Sequence, residues 1–388
     1  MRRVWGLKEG QRRTPGRRRV LFFGTYDATV YQRIAVLEEG FRAHGDEVVV
    51  CNEPLRLPTN ERVEMLRKPW NAYKLVFALV RCWLKLIWRA RSTGHVDVIV
   101  VGYLGLFDVH LARLLWPRVP IVLDHLAPAA EAAIDRRCKS RLLVRALRLV
   151  DWAATRAADV VCVDSREHLA LAGRRGGVVA PVGAPGSWFT KPHRHDSRPL
   201  SVIFFGSFTP LQGAPIIGEA ARLLQDENIA FTIVGRGQDW SATREAAGGA
   251  ANVTWIDWID TESLPRTVAG HDICLGIFGT GPKALSVVPT KVFQGAAAGT
   301  AIVTSATGPQ QEAFHGAAVF VRPGDPTALA TTLAALARDR DRVNDLREAA
   351  FARAVAEFQP GSIVAALAAR LPKGEPKVAE ARLRARAA

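Results

Sequence analysis

The chain has no run of about twenty uncharged apolar residues, so nothing in it is expected to span a membrane. Its five cysteines, Cys51, Cys82, Cys138, Cys162 and Cys274, are odd in number and scattered, mostly inside apolar runs. That pattern argues against a disulfide frame or a zinc site. It argues for buried thiols in a reducing compartment, and so for a cytoplasmic setting. The basic N-terminal stretch lacks the apolar core of a secretory signal. There is no Walker A lysine motif, no Gly-x-Ser-x-Gly elbow and no His/Cys cluster at metal spacing. Gly235-Arg-Gly-Gln-Asp-Trp240 follows a strand pattern but lacks the third glycine of a dinucleotide fingerprint. Acidic residues are also scarce, 37 against 52 Lys and Arg, for a net charge of +15. Most of that excess sits at the two ends, since Met1 to Arg19 holds eight basic residues and one Glu, and Arg370 to Ala388 six and two. No nucleic-acid recognition motif accompanies these tails, so the charge points to a surface partner other than nucleic acid.

What is present is a rhythm. Short β-branched runs start at Arg19, Glu47, Val96, Val119 and Val160, and longer helical patterns separate them. A Pro/Gly/His-rich stretch from Pro181 to Pro199 interrupts the rhythm. It then restarts at Leu200, Ala230, Val253, Ile273, Thr300 and Ala318. Strands alternating with helices mark an α/β protein with doubly wound parallel sheets, and 388 residues exceed one ordinary core. The two halves even begin alike, with V-L-F-F-G at residues 20–24 and V-I-F-F-G at 202–206. The expected layout is a basic disordered tail at 1–18, Rossmann-like domains at 19–184 and 200–357 facing a cleft, a linker at 185–199, and a C-terminal helix with a basic tail at 358–388. Ligands of such sheets bind beyond the carboxyl ends of the strands, so both loops after the Phe-Phe-Gly strands should line the cleft.

Within the second half, Pro289-Thr-Lys-Val-Phe-Gln-Gly-Ala-Ala-Ala-Gly299 holds the clearest candidate site. Pro289 suits a helix start, and the N–H groups and dipole of the first turn attract anions. Lys291 lies at the wrong end of a helix for a lysine unless an anion is bound there. Gln294, three residues on, shares its face, and Gly295 allows close approach. The competing reading is an ordinary buried helix with two polar residues at an exposed start. Upstream, Gly276, Gly279 and Gly281 suggest a loop near a ligand, with Lys283 as a second cation or simply a solvated one. Asp164-Ser-Arg-Glu-His168 holds triad residue types too close in sequence to assemble a triad.

Taken together, G-S-F-T-P-L-Q-G (206–213), I-V-G-R-G (233–237), D-I-C-L-G-I-F-G (272–279) and P-T-K-V-F-Q-G-A-A-A-G (289–299) resemble glycosyltransferase family four, of the GT-B fold. F-F-G-T-Y-D (22–27) and A-A-D-V-V-C-V-D-S-R-E-H (157–168) resemble it too, and the likeness runs over roughly residues 19–370. It implies retaining transfer of a sugar from a nucleotide diphosphate sugar, with no cofactor and no essential metal. The C-terminal domain would hold the donor through Gly206, Ser207, Gln212, Gly235, Lys283, Thr290, Lys291, Gln294 and Glu312. The N-terminal domain would hold most of the acceptor, with Gly24, Asp27 and Arg33 on the loop after the first strand. His125 and Asp124, at a strand end, would be the catalytic candidates, unless they merely cap the next segment. Ser207 and Gln212 stand where many relatives carry Arg and Lys, and Ser286 and Gln294 where they carry two glutamates. A non-catalytic GT-B-like binding subunit is therefore the alternative to an enzyme.

The segment 70–91 sets Lys74, Arg81, Lys85 and Arg89 beside an aromatic-rich apolar stripe. Such a stripe suits an interfacial helix on anionic lipid, and equally an ordinary helix with its apolar face in the core. The lipid reading makes the protein peripheral on the inner face of the cell membrane. Its acceptor would then be a lipid-linked or cell-envelope glycan, or a small molecule.

Overall fold

A computed structural model describes residues 17–28, 32–55, 72–102, 105–126, 128–136, 138–171, 177–193 and 199–372. Most of the expected tails and the first residues of the 70–91 segment lie outside the described residues. The first sheet has the order β2-β1-β3-β4-β5-β6. Its strands are β1 Arg19–Gly24, β2 Glu47–Asn52, β3 Val98–Val101, β4 Ile121–Asp124, β5 Val160–Val163 and β6 Val178–Val179. The second has the order β12-β11-β10-β7-β8-β9. It is built from β7 Leu200–Phe205, β8 Ile229–Val234, β9 Val253–Ile256, β10 Ile273–Leu275, β11 Ala301–Ser305 and β12 Val319–Val321. All pairings are parallel. The expected pair of Rossmann-like sheets is thus the observed architecture, with β6 as an added edge strand too short to carry a sequence signal.

The strand order reverses at β1 in the first sheet and at β7 in the second, which puts both Phe-Phe-Gly loops at switch points. Those strands read as continuous apolar runs because both faces are covered. Phe22 faces the helix Arg33–Ala43, while Leu21 and Phe23 face the layer formed by helices Ala72–Ala90, Asp108–Leu115 and Arg141–Ala157. One apolar cluster continues from the first domain through Trp188 of the linker into Phe205, Val292 and Phe293 of the second. Trp188 stacks on Phe205 at 5.9 Å, so the linker is packed rather than loose.

The last described helix, Pro360–Arg370, crosses back to the first domain and packs on Arg33–Ala43. Its seat is Gly40, where a Cβ would lie 2.3 Å from the Pro360 carbonyl oxygen. Arg18 fastens the same corner. It pairs bidentately with Asp46 (2.6 and 3.0 Å) and donates to the Ala368 carbonyl (3.1 Å). Arg18 was expected in a disordered tail, but the buried carboxylate of Asp46 gives it a fixed partner.

Candidate functional site: the cleft at the strand ends

On the second domain, the wall begins where β7 ends. Gly206 and Ser207 lead into Phe208, the only non-glycine among the described residues with positive φ (47°). The side chain of Phe208 is buried edge-on against Phe204 at 5.6 Å, which holds the backbone in that uncommon conformation. The β8 loop closes tightly on it. Gly235 has φ 116°, and a Cβ there would sit 2.0 Å from the Gly206 carbonyl oxygen, so only glycine fits.

Lys291 sits in the first turn of the helix Thr290–Ala297, and it is not exposed as the sequence suggested: only 6% of it is accessible. Its Nζ donates to Gln212 Oε1 (2.9 Å) and lies 3.7 Å from the centre of the Phe204 ring. Gln212 in turn donates from Nε2 to Ser207 Oγ (3.4 Å). Burial drives the Lys291 pKa down from the ordinary lysine value to about 7. An amide and a ring stabilise the ammonium less than a carboxylate would, so this cation is kept short of a full partner. Gly295, expected to admit a ligand, instead packs on Cys274 and Ile302 of the sheet. Thr290 is half-buried at the start of the same helix, behind its N-cap Pro289.

Gln294 reaches across the cleft. Its Nε2 donates to Gln32 Oε1 at 2.6 Å, and that oxygen also accepts from Trp188 Nε1 at 2.7 Å. The indole can only donate, so it forces Gln32 to present its oxygen, and Gln294 must then present its NH2. This explains an amide rather than a carboxylate at position 294. Replacing Gln294 by Glu puts two acceptors face to face, and relief requires Gln32 to turn its amide and abandon Trp188. We expect Gln294→Glu to cost about 1–3 kcal/mol, read as a melting point lowered by a few degrees. An unchanged melting point would remove this explanation. Sequence reasoning missed Gln32 and Trp188, because nothing local distinguishes them.

Lys283 lies on the short helix Pro282–Ser286 and faces the first domain. Burial lowers its pKa, while Asp135, Asp164 and Glu131 across the cleft pull it up. It lines a cavity of about 540 Å³ together with Glu131 and Asp135 of one domain and Gly213, Gly279 and Gly324 of the other. Ser286, where the resemblance would place a glutamate, donates locally to the Lys283 carbonyl (3.2 Å). Glu312 is exposed and pairs loosely with Arg166 of the first domain (3.7 Å), so here it bridges the rim rather than facing Lys291.

The first-domain wall is arranged differently from the expectation. Arg33 and Asp124 face each other: Arg33 Nε and Nη2 both lie 3.3 Å from Asp124 Oδ1, and neither side chain is more than 2% accessible. Arg33 also donates to the Pro181 carbonyl and to Cys162 Sγ (3.5 Å). Burial would lower the Arg33 pKa, but the Asp124 carboxylate more than offsets it, and the net shift is upward. Burial likewise holds the Asp124 carboxyl above its usual range despite Arg33. The pair forms the floor beneath the cleft, and Arg33 is spent on Asp124 rather than offered to an acceptor. The reason is burial: a guanidinium enclosed at the sheet end must be paired.

His125 follows on β4, its N–H bound to the Cys162 carbonyl (2.8 Å) and its Nε2 3.7 Å from Asp151 Oδ1. Asp151 is occupied with the N–H groups of Ala129 (2.8 Å) and Ala130 (3.0 Å) at the next helix start. Asp164 and His168 form a local buried pair at 2.5 Å, within one helical turn. On the loop after β1, Gly24 (φ 148°) precedes Thr25, whose N–H and hydroxyl both donate to Asp108 (2.7 and 2.8 Å). Asp27 is half-exposed on this loop. The structure thus gathers Gly206, Ser207, Gln212, Gly235, Lys291 and Gln294 on one wall. Lys283 stands apart from them, and Arg33 with Asp124 lies below.

Residues 199–339 match the family model for glycosyl transferases group 1. No curated protein matches the chain in sequence. Among solved structures the chain is similar to sucrose-phosphate synthase from Thermosynechococcus elongatus, with a TM-score of 0.65 and 16% identity over 91% of this chain and 98% of that one. It is also similar to Anabaena HepE in complex with UDP-glucose, with a TM-score of 0.61 and 16% identity over 90% and 98%. A third is an E. coli trehalose-6-phosphate protein bound with UDP-2-fluoro glucose, with a TM-score of 0.62 and 12% identity over 93% and 100%. At such identities the likeness concerns architecture, and the architecture is GT-B: two Rossmann-like domains, the second carrying the group 1 match.

Proposed function

We propose that the protein is a glycosyltransferase that moves a sugar from a nucleotide diphosphate sugar to an acceptor hydroxyl with retention at the anomeric carbon. The observation that carries this reading is the buried Lys291, at a helix start, in the domain that matches the glycosyl transferase model. When the bond between sugar and diphosphate breaks, negative charge grows on the leaving phosphate oxygen. A positioned cation and backbone N–H groups stabilise that charge most when water is excluded. Lys291 and the N–H groups of its first turn supply them without an essential metal or resident cofactor. The tight turns at Gly206 and Gly235 hold the strand-end loops beside Lys291, Ser207 Oγ would face the diphosphate, and Gln294 Oε1 would accept from a ribose hydroxyl. His125, at the end of β4, would contact the transferred sugar.

Two of the structural neighbours are held with UDP-glucose or a fluorinated analogue, so uridine donors are the first to test. Purified protein is mixed with UDP-, GDP-, ADP- and dTDP-sugars, and free nucleotide is measured alongside the melting point. One donor should raise the melting point, by about 3 kcal/mol of ligand stabilisation at a hundredfold excess over Kd, and release nucleotide. A donor that binds and is never consumed would favour the non-catalytic reading that Ser207 and Gln212 suggest. No response to any donor would sink both.

The acceptor is proposed to be lipid-linked. On the helix Ala72–Ala90, Tyr73, Val76, Phe77, Val80, Leu84 and Trp88 are all exposed, from 46% to 69%. Lys74, Arg81, Lys85 and Arg89 are all exposed beside that apolar stripe, and the last two are paired to Glu53 (2.6 and 3.0 Å). No helix of the described residues is long and apolar enough to cross a membrane. The exposed face therefore suits contact with an anionic bilayer surface rather than insertion through it.

A further inference from the structure

A second helix repeats this arrangement. Arg141–Ala157 packs its inner side, through Val150, Ala154 and Ala157, on the same face of the first sheet that receives Leu86 and Trp83 of Ala72–Ala90. Helix Asp108–Leu115 lies between them, touching both. Three helices on one sheet face turn their outer sides the same way. Ordinarily those sides are polar. Here Leu142, Leu149 and Trp152 are 77%, 64% and 54% exposed, and Leu114 of the intervening helix is 78% exposed.

The spacing puts them on one face with the arginines. Leu142, Arg145, Leu149 and Trp152 follow one another at intervals of three, four and three, with Arg141 and Arg148 alongside, so apolar and cationic side chains interleave on one outer face. The only acid of the helix, Asp151, is turned inward to the N–H groups of Ala129 and Ala130. The outer side therefore carries positive charge alone, and Arg156 lies over the Trp152 ring at 4.9 Å.

We propose that Arg141–Ala157 is a second contact with anionic lipid, so that the N-terminal domain rests on a bilayer through two parallel-facing helices and the Leu114 edge between them. Charge complementarity selects the occupant. A second copy of this chain would set the cationic outer sides of two such helices against each other, whereas acidic headgroups neutralise them and the apolar side chains between enter the acyl boundary. Two contacts also do what one cannot: a single interfacial helix leaves the domain free to roll about its axis, and two fix its tilt. Both helices run antiparallel to the strands and begin at their carboxyl ends, so Tyr73 and Leu142 lie toward the cleft edge. A lipid-linked acceptor would reach the cleft along that edge. The inference rests on the lipid-facing reading of Ala72–Ala90 and adds the second helix to it.

The test is flotation of the full chain with phosphatidylcholine vesicles, with and without phosphatidylglycerol, at low and high salt. One variant carries R145Q, R148Q, L149S and W152S, and the other K74Q, F77S, R81Q and W88S. All eight side chains are exposed, so the fold should survive in both, as circular dichroism will show. The expected result is that the parent binds only the anionic vesicles and releases at high salt, and that each variant binds about tenfold or more weakly. If the first variant binds like the parent while the second does not, the second contact is overturned and the first reading stands. If the parent ignores anionic vesicles, both are overturned. If the parent instead forms a dimer in sedimentation equilibrium that the first variant abolishes, the face joins copies of the chain and the lipid inference is overturned.

Discussion

Replacing Lys291 with methionine is expected to lower kcat about 10²–10³-fold with the best donor, while the fold is kept. Methionine fills the same channel between Phe204 and Gln212, so volume is conserved and only the charge is lost. The pH dependence gives the more discriminating signature. With its pKa pushed down to about 7, Lys291 is roughly half protonated near neutrality in the empty cleft. A bound diphosphate favours the ammonium, so binding takes up a proton, and affinity should fall as pH rises through 7, by at most about tenfold per unit. The same burial makes a complementary statement about stability. Between pH 7 and the ordinary lysine value the unfolded chain holds a proton that the folded chain has given up. Stability from this group therefore rises with pH across that window. In Lys291→Met both dependences should flatten. An unaltered pH profile of nucleotide affinity in the variant would remove Lys291 from the account.

Breaking the Arg33–Asp124 pair is expected to cost about 3–5 kcal/mol, more than any other single change considered for this fold. Arg33→Met leaves the Asp124 carboxylate enclosed with no cation, at a position where none of its surface is accessible. The carboxyl would then be driven further up and bind a proton, so the variant should be least destabilised at low pH. The double change Arg33→Met with Asp124→Leu removes both charges and should recover most of the loss, because the pair is needed to neutralise itself rather than to hold the fold. Urea denaturation of the parent and the two variants measures this. Equal destabilisation in the single and double variants would show that packing, not the uncompensated charge, sets the cost. Activity adds a second reading. As the floor of the cleft, the pair should affect turnover mainly through folded fraction, whereas a direct acceptor contact would raise KM in the stable double variant.

How much of this was visible beforehand depends on the distance over which each feature is decided. Strand runs, Phe-Phe-Gly loops and Pro289 are local, set by β-branching, glycine and the missing proline N–H, and the sequence carried them directly. The cleft followed, because parallel sheets put their loops on one side. The state of Lys291 did not follow. Its position in a first turn implied exposure, and only the folding of Phe204 and Gln212 over it, 87 and 79 residues away, makes it a buried group with a lowered pKa. Arg33 and Asp124 were both legible as polar residues at strand and helix ends. That they consume each other is decided by a contact across 91 residues. Gln294 stands where relatives carry a glutamate, and its amide is specified by Gln32 and, behind it, by an indole in the linker. The return of the last helix onto Gly40 is of the same kind, since a glycine in a helix signals close approach without naming the neighbour. On the outer surface, amphipathic spacing in Ala72–Ala90 fitted both a core helix and an interfacial one. The structure places Leu86 in the core and leaves Trp88 exposed, so the helix has a buried side and an apolar outer side.

The most direct test of the central claim, that Lys291 meets the diphosphate of a nucleotide sugar, is calorimetric. UDP, GDP, ADP and dTDP are titrated into the parent and into Lys291→Met at pH 7 in two buffers of different ionisation enthalpy, which gives the protons exchanged on binding. The account predicts that one nucleotide binds the parent with uptake of about half a proton and binds the variant weakly with close to none. Tight binding to the parent without proton uptake, or equal uptake in the variant, would contradict it.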